Sequence, residues 1–404
     1  MLTRIAWKNI WRSKRRSAIL ITAIAVGLWG GLFAIGIFTG MYDTMVGSAI
    51  DRQYGHIQIH AKDFLAERTI GITIPAPDSV VSGLKTIPGI TGVTSRTVID
   101  GMGSSTTANQ GVTIIGIDPA QERGVTAVDQ RIVEGSFFAG EGRNAVVIGR
   151  RLMDKLKLKL HGKLVLMFQN PDGTIVYGAF RIAGVFDTEA YAFDGVTVFV
   201  RQSDLGNLLG SHLVHEIAIR LSSNDDLETT ACRIAAQFPA LQVDTWKDLA
   251  PELKITAESA DLTMGIFLGI ILFALLFGIT DTMLMSVLDR TREFGMLLAV
   301  GMKKGRVFRM VVLETLFVSI TGSVVGTVLG VVSVSLSDRT GINLSYFSEG
   351  LSAYGISSYV YPMLHPVTYP TLGVMVVAVA CLAAVYPAVK AVRLKPAVAI
   401  ASYG

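Results

Sequence analysis

Two carboxylates, Asp281 and Glu314, fall inside long apolar stretches of the sequence. A carboxylate in hydrocarbon costs on the order of several kcal/mol unless it is paired, protonated or near water. Counted from Asp289 at the helical rise, Asp281 lies about 12 Å deep. Glu314 follows Arg309 by about one turn. Two accounts stand side by side: a polar coupling pair inside a helix bundle, or interfacial acids held by Thr280, Thr282 or Arg309. Between them runs a charged segment with Arg290, Arg292 and Glu293, followed by Phe294, Gly295, Leu297, Leu298 and Gly301. That pattern suits a short helix whose apolar side chains fill a groove on a partner while its charges fix the register. The plainer alternative is an ordinary loop.

Other chemistry finds little support, and no catalytic residue is expected. In 41–261, His56, His60, His161, His212 and His215 form no H-x-x-x-H with a glutamate between. His56 and His60 on a strand would stand about 13 Å apart, too far to share a metal. Cys232 and Cys381 fall in different expected compartments and belong to no CxxC, so neither a disulfide nor a zinc site is expected. There is no G-x-S-x-G and no G-x-x-x-x-G-K-[ST] phosphate loop. No basic, aromatic-rich stripe suggests nucleic acid.

The elements that position these residues follow from hydropathy. Of 404 residues, 50% are hydrophobic and 17% charged, and the mean hydropathy is +0.49. This balance predicts a few membrane helices plus a sizeable water-exposed domain. Four segments reach the roughly 20 apolar residues a bilayer requires: 17–40, 262–288, 307–336 and 371–389, the last ending near Pro387. The first has a longer apolar run than a signal peptide and no clear A-x-A site, so it is expected to stay as an anchor. Basic residues cluster at Arg4–Arg16, at Arg290–Arg306 and at Lys390–Lys395. By the positive-inside rule these segments, 1–16, 289–306 and 390–404, are expected in the cytoplasm. Segments 41–261 and 337–370 are then expected outside, the latter with Tyr346, Phe347, Tyr354, Tyr359, Tyr361 and Tyr369 near the membrane surface.

Small residues mark helix contacts in lipid. Gly36 and Gly40, Gly265 and Gly269, and the triple Gly322, Gly326 and Gly330 all repeat at four-residue spacing. The triple predicts a smooth stripe where another helix packs closely. Segment 41–261 alternates strand-like and helix-like stretches, with Asn170-Pro171-Asp172-Gly173 as a hairpin turn. The expectation is an α+β domain of two lobes, one of about 41–128 plus 211–261 and one of about 129–210.

Three stretches, AWKNIWRSKRRSAIL (6–20), DTMLMSVLDRTREFGMLLAVGMKKGRVFRMVVLE (281–314) and YPAVKAVRLKPAVAI (386–400), together resemble the FtsX/MacB-type ABC permeases. GHIQIHAKDF (55–64) resembles the LolC/LolE lipoprotein-releasing subgroup. The resemblance implies four transmembrane helices with a large extracytoplasmic MacB-like domain, and a bacterial inner-membrane location with both termini in the cytoplasm. It places the ATPase-coupling element at Arg290, Arg292, Glu293, Gly295, Leu297, Ala299 and Gly301. It further implies no cofactor on this chain, with ATP and magnesium on a separate cytoplasmic ATPase dimer. The implied partners are a second permease subunit, lipid, a lipoprotein or other amphiphilic cargo, and a periplasmic carrier or adaptor. Peptide or small-molecule export of the MacB kind and FtsX-like signalling to a cell-wall hydrolase remain as alternatives.

Overall fold

The computed structural model describes residues 3, 6–8, 12, 14–138, 142, 144–188, 190–224, 226–347, 350 and 359–393. Most of the amphipathic segment expected at 1–16, Tyr354 in the loop, and Lys395 with the rest of the tail after 393 lie outside them. The chain divides into a helical unit (1–42, 257–343 and 359–404) and a sheet domain (43–256 and 344–358).

The elements in chain order begin with α1 (Lys14–Ala49), a π-helical turn (Ile50–Tyr54) and β1 (Ile57–Ala61). Then come α2 (Phe64–Glu67), α3 (Pro77–Leu84), β2 (Ile90–Ser104), β3 (Asn109–Ile117) and α4 (Pro119–Glu122). Next are β4 (Ile132–Gly135), β5 (Ala145–Gly149), α5 (Arg150–Lys155), β6 (Lys163–Gln169) and β7 (Ile175–Phe186). The domain continues with α6 (Tyr191–Asp194), β8 (Thr197–Arg201), α7 (Gln202–Leu209), β9 (Glu216–Leu221), α8 (Leu227–Gln237), β10 (Leu241–Thr245) and α9 (Trp246–Leu249). Three further long helices, α10 (Pro251–Asp289), α12 (Lys304–Thr340) and α13 (Thr368–Val392), flank the short α11 (Thr291–Ala299) and the small strands β11 (Ile342–Asn343) and β12 (Tyr359–Val360).

Among the described residues four helices are long and apolar enough to cross a membrane, with spans at Ser17–Tyr54, Leu262–Asp289, Lys304–Thr340 and Thr368–Val392. Each helix outruns its expected segment, because apolarity marks only the part suited to lipid and says nothing of where helical hydrogen bonding stops. The last helix does not end near Pro387; it continues through that buried proline to Val392. Proline removes one backbone donor, a loss that membrane helices tolerate when neighbours pack around it.

The glycine triple on α12 lies directly against α1. A Cβ on Gly326 would stand 2.7 Å from the Ala25 carbonyl oxygen, and one on Gly322 would stand 2.9 Å from the Ile24 Cβ. A Cβ on Gly330 would meet a Leu32 methyl at 2.6 Å. Only hydrogen side chains let the two backbones approach this far. Gly36 faces Val334 and Leu364, and Gly40 lies against the Tyr361 backbone with no room for a Cβ. Gly265 and Gly269 correct the expectation: neither has any non-local neighbour within 4 Å among the described residues. The contact between α1 and α10 runs instead through Gly27, whose Cβ position is 2.8 Å from Leu275.

In the sheet domain one ten-stranded sheet is ordered β10-β1-β9-β2-β3-β8-β5-β7-β4, with β6 against β2 and β7. The first half of β2 pairs with β9, whereas its second half pairs with β3 and β6. Strand β3 pairs parallel with β8. The lobe boundary expected near 128 therefore falls within β2 instead, because a single 15-residue strand serves both groups of strands. Alternation along the strands supplies two cores: Ile114, Ile148 and Val198 on one face, Ile115, Val147 and Phe199 on the other. The turn Asn170–Gly173 closes the β6–β7 hairpin, with Gly173 at φ 83°.

Candidate functional site

The charged segment after the second span folds as α11, a helix of 9 residues wedged against the helical unit. Arg290 precedes it and gathers charge from two directions. Its Nε donates to Glu293 Oε2 at 2.8 Å, and its Nη1 lies 3.2 Å from both carboxylate oxygens of Glu314 on α12. Arg12, in the N-terminal helical segment, donates to the other oxygen of Glu293. The N-terminal segment, the start of α11 and the span α12 are thus joined by one chain of alternating charges. Burial opposes ionisation of Glu293, but the Arg290 hydrogen bond and charge outweigh it, with Arg12 adding to the effect. Its carboxyl is held below the usual glutamate range.

Neither account of the intramembrane acids describes this arrangement. Glu314 is buried and ion-paired, but with Arg290 rather than Arg309, because the chain reverses after α10 and brings Arg290 back onto α12. Asp281 is exposed on the surface of α10, and no hydrogen bond joins it to Glu314 among the described residues. Thr280 and Thr282 do not reach it either: their hydroxyls donate to the Leu276 and Gly278 carbonyls of the preceding turn.

The apolar residues of α11 also divide otherwise than expected. Phe294 is 1% exposed, lies under the Arg290 guanidinium at 5.4 Å, and packs in the unit's own core with Leu297 and Leu298 partly buried beside it. Gly295 is buried as well. Phe294 and Gly295 are turned into the unit and hold α11 in place, whereas Leu297 and Leu298 keep part of their surface open. The exposed edge is Arg292, Met296, Ala299 and Val300, with Val300 90% exposed. Gly301 follows at φ 94°, and its N–H closes the helix onto the Leu298 carbonyl at 3.1 Å. The spacing of apolar residues could not separate the two faces, since both carry them.

A second charged cluster, unread in the sequence, is buried in the sheet domain. Arg96 on β2 donates to Glu122 Oε1 at 2.6 Å, to Glu216 Oε1 at 2.5 Å and to the Gln53 carbonyl at 2.7 Å. Burial works against its charge, but Glu122 and Glu216 more than offset this and push its pKa upward. His60, fully buried on β1, faces Asp244 at 3.4 Å and Glu216 at 3.6 Å. Burial disfavours its imidazolium, yet the two carboxylates prevail and raise its pKa. His215 differs: its Nδ1 accepts from the Val98 N–H, so its Nε2 donates to the Ile70 carbonyl, and burial lowers its pKa. Phe64 stacks between the two imidazoles at 5.8 and 5.1 Å. The only signal in the sequence was the alternation of His56-Ile57-Gln58-Ile59-His60, which shows polar residues on one face of a strand without naming their partners.

Residues 17–237 match the MacB-like periplasmic core domain, and residues 265–396 match the FtsX-like permease C-terminal domain. The chain belongs to the FtsX/MacB-type ABC permease family. It is 26% identical over 266 residues to the macrolide export ATP-binding/permease protein MacB of Brucella melitensis, covering 60% of this chain and 37% of that one. It is 22% identical over 269 residues to the lipoprotein-releasing system transmembrane protein LolC of Haemophilus influenzae, covering 64% of each. The chain thus spans between about a third and two thirds of the length of these relatives. The periplasmic region of MacB from Actinobacillus actinomycetemcomitans is similar at 14% identity with a TM-score of 0.36, covering 52% of this chain and 94% of that one.

Proposed function

We propose that this permease couples ATP hydrolysis on an ATPase outside these 404 residues to the release of lipoproteins from the outer leaflet of a bacterial inner membrane. The observation that carries the coupling is α11, fastened from within by Arg290 and Phe294 while Arg292, Met296, Ala299 and Val300 form an open edge. Closure of an ATPase dimer would push on that edge. The Arg12–Glu293–Arg290–Glu314 chain would pass the push to α12 and to the N-terminal segment, and the glycine seam would carry it to α1. ATP and magnesium belong to the ATPase, and a second permease subunit completes the pair. The basic clusters favour cytoplasmic termini. The cargo follows from the likeness to LolC. Export with a periplasmic adaptor is the second reading, favoured by the likeness to MacB.

The test is Met296→Asp combined with Val300→Asp, in cells and in reconstituted vesicles. Two buried-on-docking apolar contacts replaced by charge are expected to lower ATPase co-purification and cargo-coupled hydrolysis by about tenfold or more. Unchanged coupling in the double variant defeats the proposal for α11. Lipoprotein release from spheroplasts, set against macrolide efflux, separates the two cargoes.

A further inference from the structure

The strand β1 carries a fully buried histidine that the coupling element does not use. In register, His60 stands opposite Glu216 of β9 on one side and Gln242 of β10 on the other. Asp244, two residues further along β10, reaches the ring diagonally.

Each of the two carboxylates has one oxygen engaged elsewhere and the other facing the imidazole. Asp244 Oδ1 accepts from Gln242 Nε2 at 3.0 Å, and its Oδ2 lies 3.4 Å from His60 Nδ1. Glu216 Oε1 accepts from Arg96 Nη1 at 2.5 Å, and its Oε2 lies 3.6 Å from His60 Nε2. Both ring nitrogens and Asp244 Oδ2 are shielded from solvent. A bridging water holds its two partners about 4.5 Å or more apart, so none fits between these atoms. A neutral imidazole has one N–H and one lone pair. Whichever tautomer formed, the lone pair would confront a carboxylate oxygen with no donor between them. Two ring protons satisfy both contacts, and one leaves a buried repulsion.

The remaining groups around the ring stand further off. Phe64 of α2 stacks on it, with His215 of β9 on the other side of Phe64 and the Arg68 guanidinium 5.9 Å from the Phe64 centroid. Arg96 of β2 and Glu122 of α4 lie beyond Glu216 and bond each other. The two carboxylates are also held unequally. Glu216 is gripped by Arg96, and its strand β9 is flanked by β1 and β2. Asp244 sits on an edge strand, and among the described strands β10 pairs with β1 alone. A repulsion at His60 is therefore relieved most easily by movement of β10.

We propose that His60 is a proton-held clasp: as an imidazolium it binds β10 to β1 through Asp244, and loss of its proton loosens β10, the last strand before the second span. Burial opposes the charge on the ring, but the hydrogen bonds and charges of Asp244 and Glu216 outweigh it and raise the His60 pKa. A folded value above the unfolded one makes the clasp complete below the usual histidine range, and the clasp fails as pH rises through the raised value. It concerns the sheet domain and stands whether or not the transport reading holds.

The experiment is hydrogen–deuterium exchange, read by mass spectrometry, on the full chain in phosphatidylcholine nanodiscs at about pH 6 and about pH 8.5, with each rate divided by its intrinsic chemical rate. Protection of 241–245 is expected to fall about tenfold or more between the two, the change that one unit of pKa difference supplies, while that of 216–221 changes less than about threefold. His60→Gln, uncharged throughout, is expected to remove the pH dependence of 241–245. Asp244→Asn takes away the nearer charge and is expected to move the loss of protection to lower pH. Exchange at the imidazole C2 in the same samples reads each ring's titration, and His60 is expected to titrate at higher pH than His56 and His215, whose pKa values burial lowers. Equal protection of 241–245 at the two pH values, a pH dependence that survives in folded His60→Gln, or a His60 that titrates no higher than His56 and His215 overturns the clasp. Should His60→Gln fail to fold, Asp244→Asn and the imidazole titration decide alone, and an unshifted midpoint overturns it.

Discussion

The helical unit and the sheet domain bury polar groups in opposite ways. In the helical unit the α1–α12 seam is made of glycine hydrogens and aliphatic side chains, and the ionic chain from Arg12 to Glu314 lies near the α11 end of the spans. In the sheet domain Arg96, Glu122 and Glu216 sit at the centre, each almost wholly removed from solvent. The difference follows from the surroundings. Lipid gives apolar side chains no reason to leave it, so helices adhere through close backbone approach, and charge is tolerated only where it is paired or near an end. Water drives the sheet domain's apolar residues inward, which leaves enough core to surround an ion cluster, provided every member is paired.

The sharpest way to break this comparison is to unpair the sheet domain's cluster. Glu122→Ala leaves the Arg96 guanidinium short of a partner in the core and is expected to cost about 3–5 kcal/mol of stability. Thermal unfolding in detergent reads it, and a loss below about 1 kcal/mol would make the cluster far more hydrated than its burial implies. On the lipid side, Gly326→Val drives side-chain atoms into the Ala25 backbone and is expected to cost about 1–3 kcal/mol or more. The matched control Gly265→Val faces open space and is expected to stay within about 0.5 kcal/mol. Equal effects at the two positions would refute the seam.

A third test uses pH and the buried acid Asp194 of the sheet domain. Asp194 is buried, and that burial, against its Thr188 hydrogen bonds, pushes its pKa up to about 6. The folded state therefore binds a proton more tightly than the unfolded chain. The Asp194 contribution favours folding at about pH 4 and is lost as pH rises through about 6. The stability of Asp194→Asn relative to wild type is expected to improve by about 1–3 kcal/mol between pH 4 and pH 7.5. Unfolding curves that keep a constant offset across that range would remove Asp194 from the account.

Much of the architecture was legible without coordinates. Long apolar runs name membrane helices, because hydrocarbon thickness sets a length that no soluble element needs. Strand alternation named most of the sheet, and the Gly322, Gly326 and Gly330 repeat marked a helix face against which another helix backbone lies. The lobe boundary was misplaced because no residue in β2 records that its two halves have different partners.

What the sequence by itself determined is which segments cross lipid, which form strands, and which stretch carries the charge between the second and third spans. These depend on local composition and periodicity, which are written along the chain. Only the tertiary structure decided that Phe294 faces inward and Val300 outward, that Glu314 answers to Arg290, and that Arg96 is enclosed by Glu122 and Glu216. Pairing between residues far apart in sequence depends on how elements pack, and electrostatic energy depends on the distance and burial that packing sets.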